Sequence, residues 1–268
     1  MGRVLHTLPI GNSVWGVTSL DNLLYVLRDK SSQQIAVYDM NYYRLQRRIN
    51  VSKRGGMADM TACAHNYCLY ISGYDCVHRV ALPNVNVTQW PVNDLAGRLS
   101  VTNRHSVLVT CREVRKIKEF TTHGKLIRQI ELPRDVVSLR HAVQLSSGEV
   151  IVCHGRNTDP VHGVCLLGTD GQVVKSYGGP RGSGSEQMNE PFHMAVDGNG
   201  FVFVADYDNH RVLLLSRALT YVREVVSREQ LKWKPLRLFL DDDRRRLYVA
   251  DKWDAKKSFA GRVVVIRI

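Results

Sequence analysis

Apolar residues fall in short runs along this chain, and clusters of Gly, Asn, Asp and Ser divide them. The clearest stretch is "NEPFHMAVDGNGFVFVADYDNHRVLLL", from Asn189 to Leu215. It reads as a Pro-led strand, a Gly-bounded turn, a strand ending in Ala-Asp, a polar turn and a third strand. Runs like its "FVFVAD" recur as "LLYVLR", "CLYISG", "SVLVTC", "EVIVCH" and "RLYVAD". Their last β-branched residues are Val26, Ile71, Val109, Val152, Val204 and Val249, spaced 45, 38, 43, 52 and 45 residues apart. That period is the length of a four-stranded propeller blade.

Each unit also supplies a third strand, such as "QIAVYD", "VHRVAL" or "RVVVIR". Five supply a fourth, such as "YRLQRRI" or "GQVVKSY". No amphipathic helix is sustained, although "SREQLKWK" predicts a turn of helix within a loop. The sixth unit stops after its third strand, while "GRVLHTLPI" at the other end has the pattern of a fourth. The prediction is therefore an all-β, six-bladed propeller of four-stranded antiparallel blades, closed by an N-terminal strand that completes the last blade. Residues 1–268 form one domain, with blades at 14–51, 57–92, 96–133, 139–179, 191–226 and 235–268 and the closing strand at 2–10.

The fifth unit resembles an NHL repeat, whose Pro-led strand, Gly turn, Val-Ala-Asp end and Asn-His-Arg-Val element match here. Asn209, His210, Arg211 and Val212 carry that last element. The sixth unit, "PLRLFLDDDRRRLYVAD…GRVVVIRI", matches more loosely, and the first four keep the strand rhythm without most of the motif. The chain thus resembles the NHL domain that ends many tripartite-motif (TRIM-NHL) proteins. That resemblance implies a non-enzymatic module, either an RNA binder or a protein-docking platform that presents substrates to an upstream ubiquitin ligase.

With 44% hydrophobic residues, the chain can build a sizeable core. No apolar run is long enough to span a membrane, and the N-terminus lacks the features of a signal peptide. Six cysteines without a C-x-x-C pair, mostly inside strand-like runs, read as buried thiols, and a cytoplasmic location follows. The net charge of +12 and pI near 9.6 call for a polyanionic partner.

Several groups invite chemistry. Asp206, Asp208 and Asn209 suggest a calcium loop, but EF-hand spacing is missing. Asp206–Arg211 and Asp251–Arg262 instead read as structural pairs. "DDDRRR" at 241–246 reads as a solvated turn. Counting back from each anchor places Trp15, Met60, Arg98, His141, His193 and Arg237 around the central channel. His141 and His193 would be adjacent, but no third His or carboxylate is expected to join them, and zinc requires three or four ligands. No metal, cofactor or catalytic residue is predicted.

Basic residues gather on the loops of blades six, one and two, interleaved with Trp15, Trp233, Trp253 and Phe259. Cations that follow a backbone, with rings on which bases stack, suit single-stranded RNA. The predicted RNA-binding set is Arg28, Lys53, Arg54, Arg98, Arg140, His141, His193, Tyr207, Lys232, Lys234, Arg237, Trp253, Lys256 and Lys257. Phosphates would meet the Lys/Arg sector, bases would be read near the channel, and Tyr207 and Trp253 would stack. A protein partner through the same face is the alternative; neither DNA nor membrane is an expected partner.

Overall fold

A computed structural model describes residues 1–11, 13–28, 34–51, 56, 58–252 and 261–268. The described residues form six four-stranded antiparallel sheets arranged as the blades of a propeller. Each of the first five sheets runs in sequence order from the channel outward. The sixth has the order of inner strand Lys234–Asp241, then Arg246–Lys252, then Gly261–Arg267, and finally the N-terminal strand Arg3–Pro9. That last strand pairs antiparallel with Gly261–Arg267, so the ring is closed as the sequence predicts. Gly2 N–H also donates to Val225 O at 2.8 Å, which ties the closing strand to blade five.

The alternation within each strand explains this packing. Inner and middle strands are buried on both faces, because every blade is sandwiched between two others. Six apolar clusters result, one for each pair of successive blades. In one of them, Leu27 and Ile35 of blade one meet Met60 and Ile71 of blade two. In another, Leu8, Val263 and Val265 of blade six meet Val17 and Val26 of blade one. Outermost strands alternate instead; Leu45–Asn50 buries only Ile49. All six cysteines are buried and free of disulfides. No helix is long and apolar enough to cross a membrane.

Cross-strand register defines which residues face the channel. His141, His193 and Arg237 pair with Cys153, Ala205 and Ala250, each one residue beyond its anchor. In blade two the same position belongs to Asp59, opposite Ser72, whereas Met60 lies opposite Ile71. A fixed count of residues selects Met60 wrongly, because this hairpin holds one more residue between anchor and partner than the hairpin of blade five. In blade one the position belongs to Gly16, opposite Leu27, and Trp15 is the bulged residue before it. The channel ring is thus Gly16, Asp59, Arg98, His141, His193 and Arg237.

Gly16 has a steric reason. A Cβ there would lie 2.6 Å from Met60 Cβ and 3.0 Å from Met60 N. Replacing Gly16 with Val is expected to destabilise the fold by about 1–3 kcal/mol through overpacking, read as a lower urea midpoint with an unchanged slope.

Candidate functional site

Most of the ring residues are buried and form the floor of the channel. Arg237 is 1% exposed and Asp59 fully buried. Arg237 Nε donates to Asp59 Oδ1 at 2.7 Å, its Nη1 to Leu236 O at 2.8 Å, and its Nη2 to Ala58 O. Asp59 Oδ2 accepts from Leu99 N–H at 2.9 Å. Burial works to raise the Asp59 pKa, but the Arg237 guanidinium, with help from His193 and Arg98, outweighs it and holds the carboxyl well below the usual range.

The imidazoles of His141 and His193 stack with centroids 3.9 Å apart. His141 Nδ1 accepts from Met194 N–H at 3.2 Å, leaving its Nε2–H to donate to Leu99 O at 3.2 Å. His193 Nδ1 accepts from Leu238 N–H at 3.4 Å, and its Nε2 faces Asp59 Oδ2 at 3.8 Å. Burial lowers both pKa values; for His141 the neighbouring imidazole adds to it. Both rings are therefore neutral at pH 7.

Asp59, His141 and His193 bring one potential ligand atom each within 4.8 Å of one another. A carboxylate does join the histidines, contrary to the sequence expectation, because the register puts Asp59 in the ring. The donor set nonetheless does not fit a metal. Both Nδ1 lone pairs accept backbone N–H groups, both Nε2 atoms carry the proton, and Asp59 is held by Arg237 and Leu99.

Above the floor lies a cup of about 440 Å³. The residue preceding each ring position lines it: Trp15, Ala58, Gly97, Arg140, Phe192 and Leu236. Arg98 also enters it from the floor ring. Its walls rise to Tyr74, Arg112, Arg156 and Tyr207 on the surrounding loops. Phe192 is the hub, with the guanidinium carbons of Arg140, Arg98 and Arg237 at 4.7, 4.8 and 5.3 Å from its ring centroid.

The three guanidiniums differ in their partners. Arg237 has Asp59. Arg140 Nη2 pairs with Glu190 Oε2 at 2.9 Å, and Glu190 Oε1 accepts from Asn157 N–H at 2.6 Å. The Arg98 guanidinium has no hydrogen bond or ion pair to any described residue, and its Nε is buried. Burial and then the charges of Arg237, Arg140 and Arg112 push its pKa down, against the pull of Asp59.

The predicted RNA-binding residues therefore divide. Arg98, Arg140 and Tyr207 line the cup. Lys232 is exposed, with its Nζ 5.4 Å from the Trp233 ring centroid. Lys234 lies over Tyr207 at 5.1 Å and pairs with Asp208 at 2.8 Å. Arg28 is partly buried and donates to Ile10 O at 3.2 Å. His141, His193 and Arg237 are buried in the floor, with ring nitrogens and guanidinium directed at neighbouring blades. Lys53, Arg54, Trp253, Lys256 and Lys257 lie outside the residues whose side chains are described.

The remaining candidates are structural. Arg211 Nε meets Asp206 Oδ2 at 2.7 Å, and Arg262 Nε meets Asp251 Oδ2 at 2.8 Å. In the 241–246 stretch, Arg244 pairs back with Asp241 at 3.0 Å beside the turn. Asp59, Phe192, Glu190, Arg112 and Arg156 were not selected from sequence. Phe192 and Arg140 follow one rule, since each precedes a ring residue; Glu190 and Arg156 sit on loops with no such signal.

No protein-family model matches the chain, and no curated protein matches it. Solved structures match over nearly its whole length. A streptogramin B lyase has a TM-score of 0.68 at 10% identity, covering 99% of this chain and 97% of that one. Hydrazine synthase from Kuenenia stuttgartiensis has a TM-score of 0.66 at 14% identity, covering 97% and 96%. The β-propeller domain of Cps50 (Swd1) from Myceliophteria thermophila has a TM-score of 0.62 at 10% identity, covering 93% and 82%. These likenesses show the fold, a propeller shared by proteins of mixed function.

Two outcomes follow from the floor. Asp59→Asn removes the charge that compensates buried Arg237 and is expected to cost about 3–5 kcal/mol in urea unfolding. His141 has a folded pKa below its unfolded value near 6.5, so only the unfolded chain takes up this proton as pH first falls below that value. The stability contributed by neutral His141 is full above that pH and is lost below it. The gap between wild type and His141→Gln should therefore narrow by up to about 1.4 kcal/mol per pH unit, measured by urea unfolding between pH 7 and 5.

Proposed function

We propose that this chain is a non-enzymatic interaction module that binds single-stranded RNA across the face onto which the cup opens. The observation that carries this reading is the set of cations placed against aromatic rings along that face. Lys232 lies on Trp233, Lys234 on Tyr207, and Arg140 and Arg98 on Phe192. Exposed Arg156 adds a charge on the far wall. Guanidinium and ammonium groups contact phosphates, while aromatic planes at the rim accept stacked bases. The net charge of +12 supplies long-range attraction for such a strand. The resemblance of residues 189–215 to an NHL repeat supports the same reading, with post-transcriptional regulation in the cytoplasm as its setting.

A non-enzymatic role is supported by the engaged state of the titratable groups nearest the channel. The histidines and Asp59 are spent on hydrogen bonds between blades, and Glu190 on Arg140 and a backbone N–H. Glu113, which also lines the cup, pairs with Arg112 at 2.8 Å.

The test is fluorescence anisotropy with labelled single-stranded RNA over a series of salt concentrations. Lys232→Glu combined with Arg156→Glu should weaken binding at least tenfold while the melting temperature stays unchanged. The log–log salt slope should become shallower by about 0.7 for each phosphate that is no longer neutralised, or about 1.4 for two. RNA that binds the double variant as tightly as wild type overturns this reading, and docking of a protein on the same face becomes the alternative to pursue.

A further inference from the structure

Arg98 and Arg237 occupy equivalent positions in the channel ring, yet only Arg237 has a carboxylate. The contrast follows from the hydrogen-bonding capacity of the ring residues. Asp59 and His193 use acceptor atoms to take the N–H that follows the ring position in the next blade, at Leu99 and Leu238. His141 does the same to Met194. An arginine offers only donors, so neither Arg98 nor Arg237 can make this link. Arg237 reaches Asp59 across the position of blade one. Arg98 turns up into the cup and ends over Phe192, at 4.8 Å from the ring centroid.

Arg98 is partly buried, its Nε is shielded from water without a partner, and no described carboxylate pairs with it; a cation desolvated to that degree without an anion weighs against stability. Beside it, Arg140 is 7% exposed and uses Nη2 on Glu190, while its Nε has no partner. Donors from two neighbouring blades thus converge on the cup floor without enough acceptors. We propose that the cup is a binding site for one phosphate monoester, whose oxygens complete the hydrogen bonding of Arg98 and Arg140. A phosphate suits it better than a carboxylate, because its three oxygens and near-double charge can engage two guanidiniums at once. The cup volume matches a small ligand rather than an extended chain. Exposed Tyr74 and partly buried Trp15 on its wall offer apolar contact to the group that carries the phosphate. This site does not depend on RNA binding by the surrounding face.

Isothermal titration calorimetry in a phosphate-free buffer tests it, with phenyl phosphate, inorganic phosphate and benzoate as probes. Phenyl phosphate should bind once per chain and at least tenfold more tightly than benzoate. Arg98→Met should weaken it at least tenfold, and Arg98→Lys, which keeps charge but loses the fork, by an intermediate factor. In the absence of phosphate Arg98→Met should raise the melting temperature by about 2 °C or more, since it removes a partly buried charge that no described carboxylate pairs with. A 5′-phosphorylated trinucleotide that displaces phenyl phosphate when its 5′-hydroxyl twin does not would assign the phosphate to a strand end. Equal competition by the two would assign it to a free ester. No heat with either phosphate, equal binding of benzoate, undiminished binding by Arg98→Met, or a lower melting temperature for that variant would each overturn the proposal. Failure here with RNA binding intact would leave the interaction-module reading standing.

Discussion

The buried pair between Arg237 and Asp59 is the constraint on which the centre of this propeller depends. It joins blades six and two across the position of blade one, and each nitrogen of the guanidinium and each oxygen of the carboxylate makes a hydrogen bond. Such a pair is weak evidence for net stability, because desolvating two charges costs about what their attraction returns. Its effect is geometric. A single residue on each side fixes how far apart two non-adjacent blades stand.

From that pair the links can be followed around the axis. Asp59 holds Leu99 N–H of blade three, and Leu99 O receives His141 of blade four. His141 receives Met194 N–H of blade five, and His193 of blade five receives Leu238 N–H of blade six. Arg237 of blade six then returns to Asp59. The circuit closes without blade one, which is secured instead by close packing of Gly16 on Met60 and by the apolar cluster it shares with the closing strand. Six apolar clusters provide most of the burial; the polar circuit selects one arrangement of blades from those that burial alone would accept.

The ring architecture was legible in the sequence because two independent signals agree. Strand alternation repeats at the length of a blade, and a stray strand at the N-terminus matches the vacancy at the C-terminus. The channel positions were only partly legible. A constant offset from the anchors finds Arg98, His141 and His193, but hairpin length varies. One extra residue moved the inward position of blade two from Met60 to Asp59, and a bulge moved that of blade one from Trp15 to Gly16. A slip of one residue reverses which face a strand residue presents, so the decisive carboxylate was missed. The floor position of His141 and His193 was hidden from sequence for a different reason. Nothing in a residue's identity shows that both ring nitrogens of His141 meet backbone groups of neighbouring blades, or that those of His193 meet a backbone N–H and the Asp59 carboxylate.

The same circuit explains why the cup, and not the floor, is where a ligand would act. Each acceptor at a ring position can be satisfied by the protein itself, because the next blade always presents an N–H. Each donor at a ring position lacks that provision and must find an anion elsewhere. With two arginines and one carboxylate in the ring, one arginine is left over, and the floor beneath is filled. The surplus donor therefore faces upward, beside Arg140 and beneath a wall of loop residues. Phe192 can lie against all three guanidiniums, but a ring quadrupole offers only a fraction of what a full anion would. The charge imbalance built into the channel is thus exported to the cup above it.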